Sequence, residues 1–252
     1  VNDQAKQPEP TPSQTRAARR RSWRGYVLLG LILVLGVALI RMAWLVRATP
    51  AYWQDHQAFL IETPEQDLQN LAADIQSKTL REWSYPIGEG DGLRTVRYNF
   101  DEINAWLATR LRPLMKNQNI AMPDEIGEVM LTQRSGDLVL AFDYQSGTLG
   151  TRIASFYFRF ESENGQPLSA AIASAKAGEQ PLLVKHLIHR LSKQPRFSDE
   201  QTQKTLARLG QKKLVPLPPI PVDDNRSATI LDIDIQPEGI DLTIQVAFHE
   251  DE

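Results

Sequence analysis

Sixteen consecutive residues without a charge, Gly25 to Ile40 (GYVLLGLILVLGVALI), constrain this chain more than any other feature. Arg41 interrupts the run and MAWLV carries it on to Val46, before Arg47. At 1.5 Å per residue, a helix over Gly25–Val46 spans about 33 Å, against a hydrocarbon core of about 30 Å. The charge-free part covers only about 24 Å, so Arg41 belongs near one interface with its guanidinium extended towards the headgroups. Trp23, Tyr26 and Trp44 stand near the two ends, where amphipathic rings settle at the water boundary. A buried helix of a soluble protein is a poor fit, because this segment is apolar on every face. A cleaved signal peptide would have a shorter apolar region followed by a small-x-small site, where this chain has Val46-Arg47-Ala48-Thr49-Pro50-Ala51. Residues 23–47 therefore read as an uncleaved transmembrane anchor.

Charge assigns the two sides. Residues 1–47 carry eight basic and two acidic side chains, which leaves 20 basic and 29 acidic for 48–252. Five of the arginines lie between Arg16 and Arg24, and excess positive charge stays cytoplasmic. The expectation is a single-pass protein of the plasma (inner) membrane, N-terminus cytoplasmic and bulk extracytoplasmic. An acidic body repels phosphate backbones, so nucleic acid is not an expected partner. The absence of Cys excludes a disulfide framework, a thiolate metal site and a thiol nucleophile. Residues 1–22, rich in Gln, Pro, Arg and Ser, read as a disordered cytoplasmic tail.

Residues 48–92 read as a juxtamembrane stalk and helix, with 51–62 prolonging the anchor and a helix over about 64–82 started by Thr63-Pro64-Glu65-Gln66. Gly88-Glu89-Gly90-Asp91-Gly92 resembles a phosphate loop only superficially, since acids stand where amides and cations are needed, and it reads as a turn. Residues 93–252 read as an extracytoplasmic domain. It opens with a strand at Thr95–Tyr98 and a capping sequence, Asn99-Phe100-Asp101-Glu102. A helix of about fifteen residues follows, bent or ended by Pro113. Ser135-Gly136, Gly147/Gly150 and Asn164-Gly165 punctuate four strands between Glu128 and Lys176, an antiparallel meander. Helices over about 180–192 and 198–210 follow, then the Pro-rich extended connector Val215–Val222 and a closing hairpin around Pro237-Glu238-Gly239. The fold class is α+β: a twisted antiparallel sheet of about six or seven strands, meander plus C-terminal hairpin, packed on helices.

No catalytic signature is present, neither a Gly-x-Ser-x-Gly elbow nor a Walker loop. His186 and His189 lack the Glu of a metalloprotease helix, and Asp232 and Asp234 read as solvating charges on one side of a strand. No metal or cofactor is expected, and an envelope enzyme stays only a third reading. The apolar stripes carry more. Leu138, Leu140 and Phe142 share a strand face, as do Phe156, Phe158 and Phe160, with Trp106 and Leu107 on the helix above. These eight are the candidate lining of a groove for acyl chains; the competing reading is a plain core.

The order anchor, helix, strand, FDEINAWLATRL helix, meander, Leu-rich helix and last hairpin resembles small bacterial one-pass proteins of the YpmS-like kind. These are related to tubular lipid-binding (TULIP-like) and AsmA-like envelope proteins. Asn104 and the Asn164-Gly165 turn carry the likeness most closely. The resemblance implies a non-enzymatic domain that holds or passes lipid beside the membrane. The expected partners are the bilayer, a bound lipid, or a protein of the envelope for which the domain is a scaffold or accessory subunit. A reporter active only outside the cytoplasm, fused after Glu252, should give signal; a reporter active only inside should stay dark, and the reverse pattern overturns the orientation.

Overall fold

The computed structural model of the chain describes residues 34–38, 41, 44–84, 92–118, 122–146, 150–163, 165–193, 200–223 and 225–248. These belong to two units, Val1–Leu45 and Val46–Glu252. In the first, residues 34–38, 41 and 44–45 are helical, and Val34, Leu35, Val37, Arg41 and Trp44 are exposed. Trp23, Tyr26 and most of the expected anchor lie outside the described residues, and no described helix is long and apolar enough to cross a membrane. The Gly88–Asp91 part of the expected turn also lies outside them.

In the second unit the order is α1 (Ala51–Glu62), α2 (Glu65–Ser84), β1 (Leu93–Asn99), α3 (Phe100–Asn117), β2 (Ile126–Arg134), β3 (Asp137–Ser146), β4 (Gly150–Glu161), β5 (Ser169–Ala177) and β6 (Gln180–Leu182). Then come α4 (Val184–Leu191), α5 (Glu200–Gly210), β7 (Val215–Pro216), β8 (Ile220–Asp223), β9 (Arg226–Gln236) and β10 (Gly239–Phe248). The architecture is α+β with antiparallel pairing throughout.

The meander forms as its turns dictate. Ser135 and Gly136 both take positive φ, 54° and 88°, which matches the right-handed twist of β2 and β3. The expected single sheet is instead two. The meander builds one with the order β2-β3-β4-β5-β6, and β7 also pairs with β5. The closing hairpin builds a second, β1-β10-β9-β8. β1 pairs with β10 over seven residue pairs and so joins the hairpin's sheet and not the meander's. The Pro-rich connector does run extended, and it joins the two sheets. Its start pairs with Ser169 and Ala170, and its end with Ser227 and Ala228. Leu168, 1% exposed, donates its N–H to the Ile230 carbonyl at 2.7 Å and accepts from Leu217 at 2.8 Å.

Two further expectations change. Residues 51–62 are not a stalk. Pro50 starts α1, accepting from Trp53 and Gln54 at 3.0 and 3.2 Å, and Tyr52, Trp53 and His56 are buried. The folded unit thus begins at Val46 and not at 93. Pro113 does not end α3, which runs on to Asn117.

α3 grows straight out of β1. Asn99 is its N-cap, and Glu102 accepts from the Asn99 N–H at 3.4 Å, as the capping sequence requires. One turn on, the Asn104 carboxamide pairs with the free edge of β2: its Oδ1 accepts from Leu131 N–H at 2.7 Å and its Nδ2 donates to Leu131 C=O at 3.0 Å. Asn104 is 6% exposed, so water does not replace these bonds. Asn104→Ala orphans two backbone groups and should cost about 1–3 kcal/mol, read as a fall in the urea midpoint. An unchanged midpoint would show that the joint carries no stability.

Candidate functional site

Helix α1 lies against the meander face formed by Met130, Ala141 and Ile153, with Tyr52 and Trp53 completing the cluster. The Tyr52 hydroxyl shares a 2.6 Å hydrogen bond with Ser155 Oγ, and burial pushes the phenol up to about 12. Two openings flank this helix.

The larger is a cleft of about 490 Å³. Trp53, Leu107, Leu111, Met122, Val129 and Ile153 make its apolar walls, while Gln57, Arg112, Glu128 and Asp143 bring charge and hydrogen-bonding groups. An irregularity in β2 shapes its floor. Ile126 faces Tyr144 and Val129 faces Phe142, so the edge strand carries one extra residue. Gly127 sits in that bulge with the Asp143 carboxylate in the space that a Cβ would occupy. Arg112 ties α3 to the same place, its Nη2 donating to the Ile126 carbonyl and, at 3.1 Å, to that of Gly127. Gln57 Nε2 donates to Glu128 across the rim. Burial raises the Asp143 carboxyl above its ordinary range, against the lowering effect of backbone amides at Glu128 and Gly127, and its buried Oδ1 has no hydrogen-bond partner among the described residues. The cleft thus has both apolar and polar side chains in its lining, a mixture suited to an amphipathic molecule.

Of the eight expected lining residues only Leu107 lines this cleft. Leu138 is buried in the core of the second sheet, with Trp106 and Phe160 packed against it. Phe156 and Phe158 pack on Ile172, Ala175, Val184 and Ile188 beneath α4 and α5. Phe142 stacks on Phe156 with centroids 5.9 Å apart, and Leu140 is half-buried beside Leu131. The period-two reading of the strands is right, yet different layers cover one face along its length. His189 is exposed at the end of α4, and the side chain of His186 lies outside the described residues. Asp232 and Asp234 are exposed on β9. Among the described residues no three His, Asp or Glu stand together as metal ligands.

The second opening, of about 290 Å³, lies on the other flank of α1. His56, 4% exposed, lines it, and neither ring nitrogen has a hydrogen-bond partner among the described residues. Trp53 is tilted against the imidazole at 5.6 Å. Sequence reasoning missed His56, Asp143, Arg112 and Gly127. A signal for the first existed in the spacing Tyr52, Trp53, His56, Phe59, one helical face with a lone polar ring on it.

Comparison with protein-family models, with curated proteins and with solved structures gives no match for this chain.

Burial holds the His56 pKa down at about 4, with Asp101 pulling weakly the other way. The folded ring stays neutral where the unfolded one, near 6.5, takes a proton, so stability is full above about pH 6.5 and falls as the pH drops towards 4. Relative to His56→Phe, the wild-type chain should lose about 3 kcal/mol across that window in urea unfolding. The comparison cancels Asp143, whose raised carboxyl acts in the opposite sense. Parallel pH curves for the two proteins would contradict the assignment.

Proposed function

We propose that this chain is a non-enzymatic, single-pass protein of the plasma membrane whose outward body binds or passes lipid in the cleft between α1, α3 and the β2 bulge. The observation that carries this is the cleft itself, whose lining combines apolar side chains such as Trp53, Leu107 and Ile153 with Arg112, Glu128 and Asp143. Thr49, one of the lining residues, follows Arg47, where the expected anchor ends, by two residues in the sequence. An acyl chain transferred from the bilayer to apolar walls keeps the area term, about 25 cal/mol per Å², while the polar side suits a headgroup. The sequence resemblance to lipid-handling envelope proteins supports the same reading.

A second reading, a scaffold or accessory subunit of an envelope complex, is favoured by one observation. The aromatic stripe first expected to touch lipid is packed into protein along its length, against β10, β9 and α3 at one end and α4–α5 at the other. The two readings separate by experiment. Native mass spectrometry of the full-length chain released from membranes should show bound lipid. Leu107→Asp, which puts a charge on the cleft wall at a half-buried position, should remove that lipid while moving the melting temperature by only a few degrees. A chain that stays empty, or a Leu107→Asp chain that keeps the same lipid, leaves the scaffold reading in place of the first.

A further inference from the structure

The Pro-rich connector between the two sheets carries more chemistry than a crossing needs. Every residue from Val215 to Pro221 is a proline or precedes one. Proline fixes its own φ at about −65° and steers the residue before it to extended backbone, so this stretch is held in the polyproline-II range. The fold then presents it. Val215 and Pro216 pair with β5, Leu217 donates its N–H to the Leu168 carbonyl, and Ile220 and Pro221 pair with β9. Upstream, the Lys213 N–H donates to the Arg208 carbonyl at 3.0 Å and Arg208 Nη2 to the Leu214 carbonyl at 2.7 Å, which braces the start against α5.

A polyproline-II helix has three residues per turn and therefore three edges. Pro216 and Pro219 fall on one, with Lys213 ahead of them, and Pro218 and Pro221 fall on the next. Leu214, Leu217 and Ile220 fall on the third. All four prolines and Lys213 are exposed, whereas Leu214 and Leu217 are half-buried and Ile220 is 37% exposed. The body takes the leucine edge and leaves the two proline edges to solvent. Guarding a sheet edge accounts for Pro221 on β8, but Pro218 and Pro219 stand outside both strands.

The chemistry of this ridge selects what docks on it. Four prolines supply no N–H donors, so a further strand cannot be added along it. Their rings offer apolar surface fixed before binding, at little entropic cost, which is what an aromatic-lined groove reads. Charge gives the direction. Lys212 and Lys213 are exposed at the start, and neither makes an ion pair among the described residues. Asp223, at the other end, accepts from Arg226 Nε at 2.7 Å. An acidic rim beside the groove would meet the lysine end.

We propose that this ridge is the docking site of a protein domain whose aromatic-lined groove takes the Pro216/Pro219 and Pro218/Pro221 edges, with an acidic rim against Lys213. The ridge shares no residue with the lipid cleft, so it stands apart from that reading.

The test sets the full chain, in a non-ionic detergent, against a panel of purified SH3-type domains, which read such segments through an aromatic groove. Binding is followed by biolayer interferometry, and at least one domain with an acidic rim should bind saturably. Pro218→Ala combined with Pro219→Ala removes one proline from each edge at positions outside the strands. It should weaken that domain about tenfold while the melting temperature stays within a few degrees of wild type. Lys213→Glu keeps every proline and should weaken it severalfold; it decides alone if the double variant does not fold. No binding at all, binding to a free peptide of residues 213–221 but never to the full chain, or binding that either folded variant leaves unchanged overturns the docking site.

Discussion

One carboxamide joins the halves of the folded body. β1 belongs to the sheet of the closing hairpin and runs without a loop into α3, whose Asn104 hydrogen-bonds both backbone groups of Leu131 on the edge of the meander. A side-chain amide used this way mimics a further strand, and it tolerates little displacement because both bonds must be kept at once. Arg112 repeats the device two turns later at the Ile126 and Gly127 carbonyls. The edge of β2 is thereby covered by helix instead of being left as a template for another chain. The position of α3 against it bears on both openings beside α1, since the cleft is lined by Leu107, Leu111 and Arg112 of that helix and the other opening by Phe100, Asp101 and Asn104.

The energetic weight lies elsewhere, in three apolar clusters. The largest gathers Ile75 of α2, Val96 and Tyr98 of β1, Phe100 of α3 and the inner residues of β9 and β10. Polar bonds keep α2 in register with it: Trp83 Nε1 donates to the Tyr98 hydroxyl at 3.1 Å, and Lys78 reaches Glu102 at 2.8 Å. The aromatic face of β3 and β4 is divided between this cluster and the one beneath α4 and α5. A face that fills two cores has little left to offer a ligand, and the openings instead border the side of the sheet with smaller and more polar residues. Packing density explains that division. Bulky rings are most stabilising where protein closes on them completely, and a cleft remains where Gly127, Thr151 and Asp143 stand.

Much of the local structure was legible in the chain. Ser135-Gly136, Asn99 with Glu102, the alternation of β3, β4 and β10, and the Pro-rich connector each form as their residues require, because each depends on atoms a few positions apart. α1 was not legible. Its apolar residues follow directly on a longer apolar run, so it reads as a continuation of that run. Only the meander surface made by Met130, Ala141 and Ile153, far away in sequence, turns it into a packed helix. The same holds for the site. Leu107 could be picked from its stripe, but Asp143 and Gly127 become partners only through a bulge that appears once β2 is paired with β3.

Composition and local pattern by themselves determined an α+β chain of antiparallel hairpins, an acidic body and a basic, apolar leading segment, since charge and periodicity need no knowledge of the fold. Tertiary structure alone decided that the strands divide into two sheets, that one aromatic face serves two cores, and that His56 is buried with no hydrogen-bond partner among the described residues. Those outcomes come from competition among distant surfaces for the same edges and faces, and the winner is set by which pairing buries the most area with its polar groups satisfied.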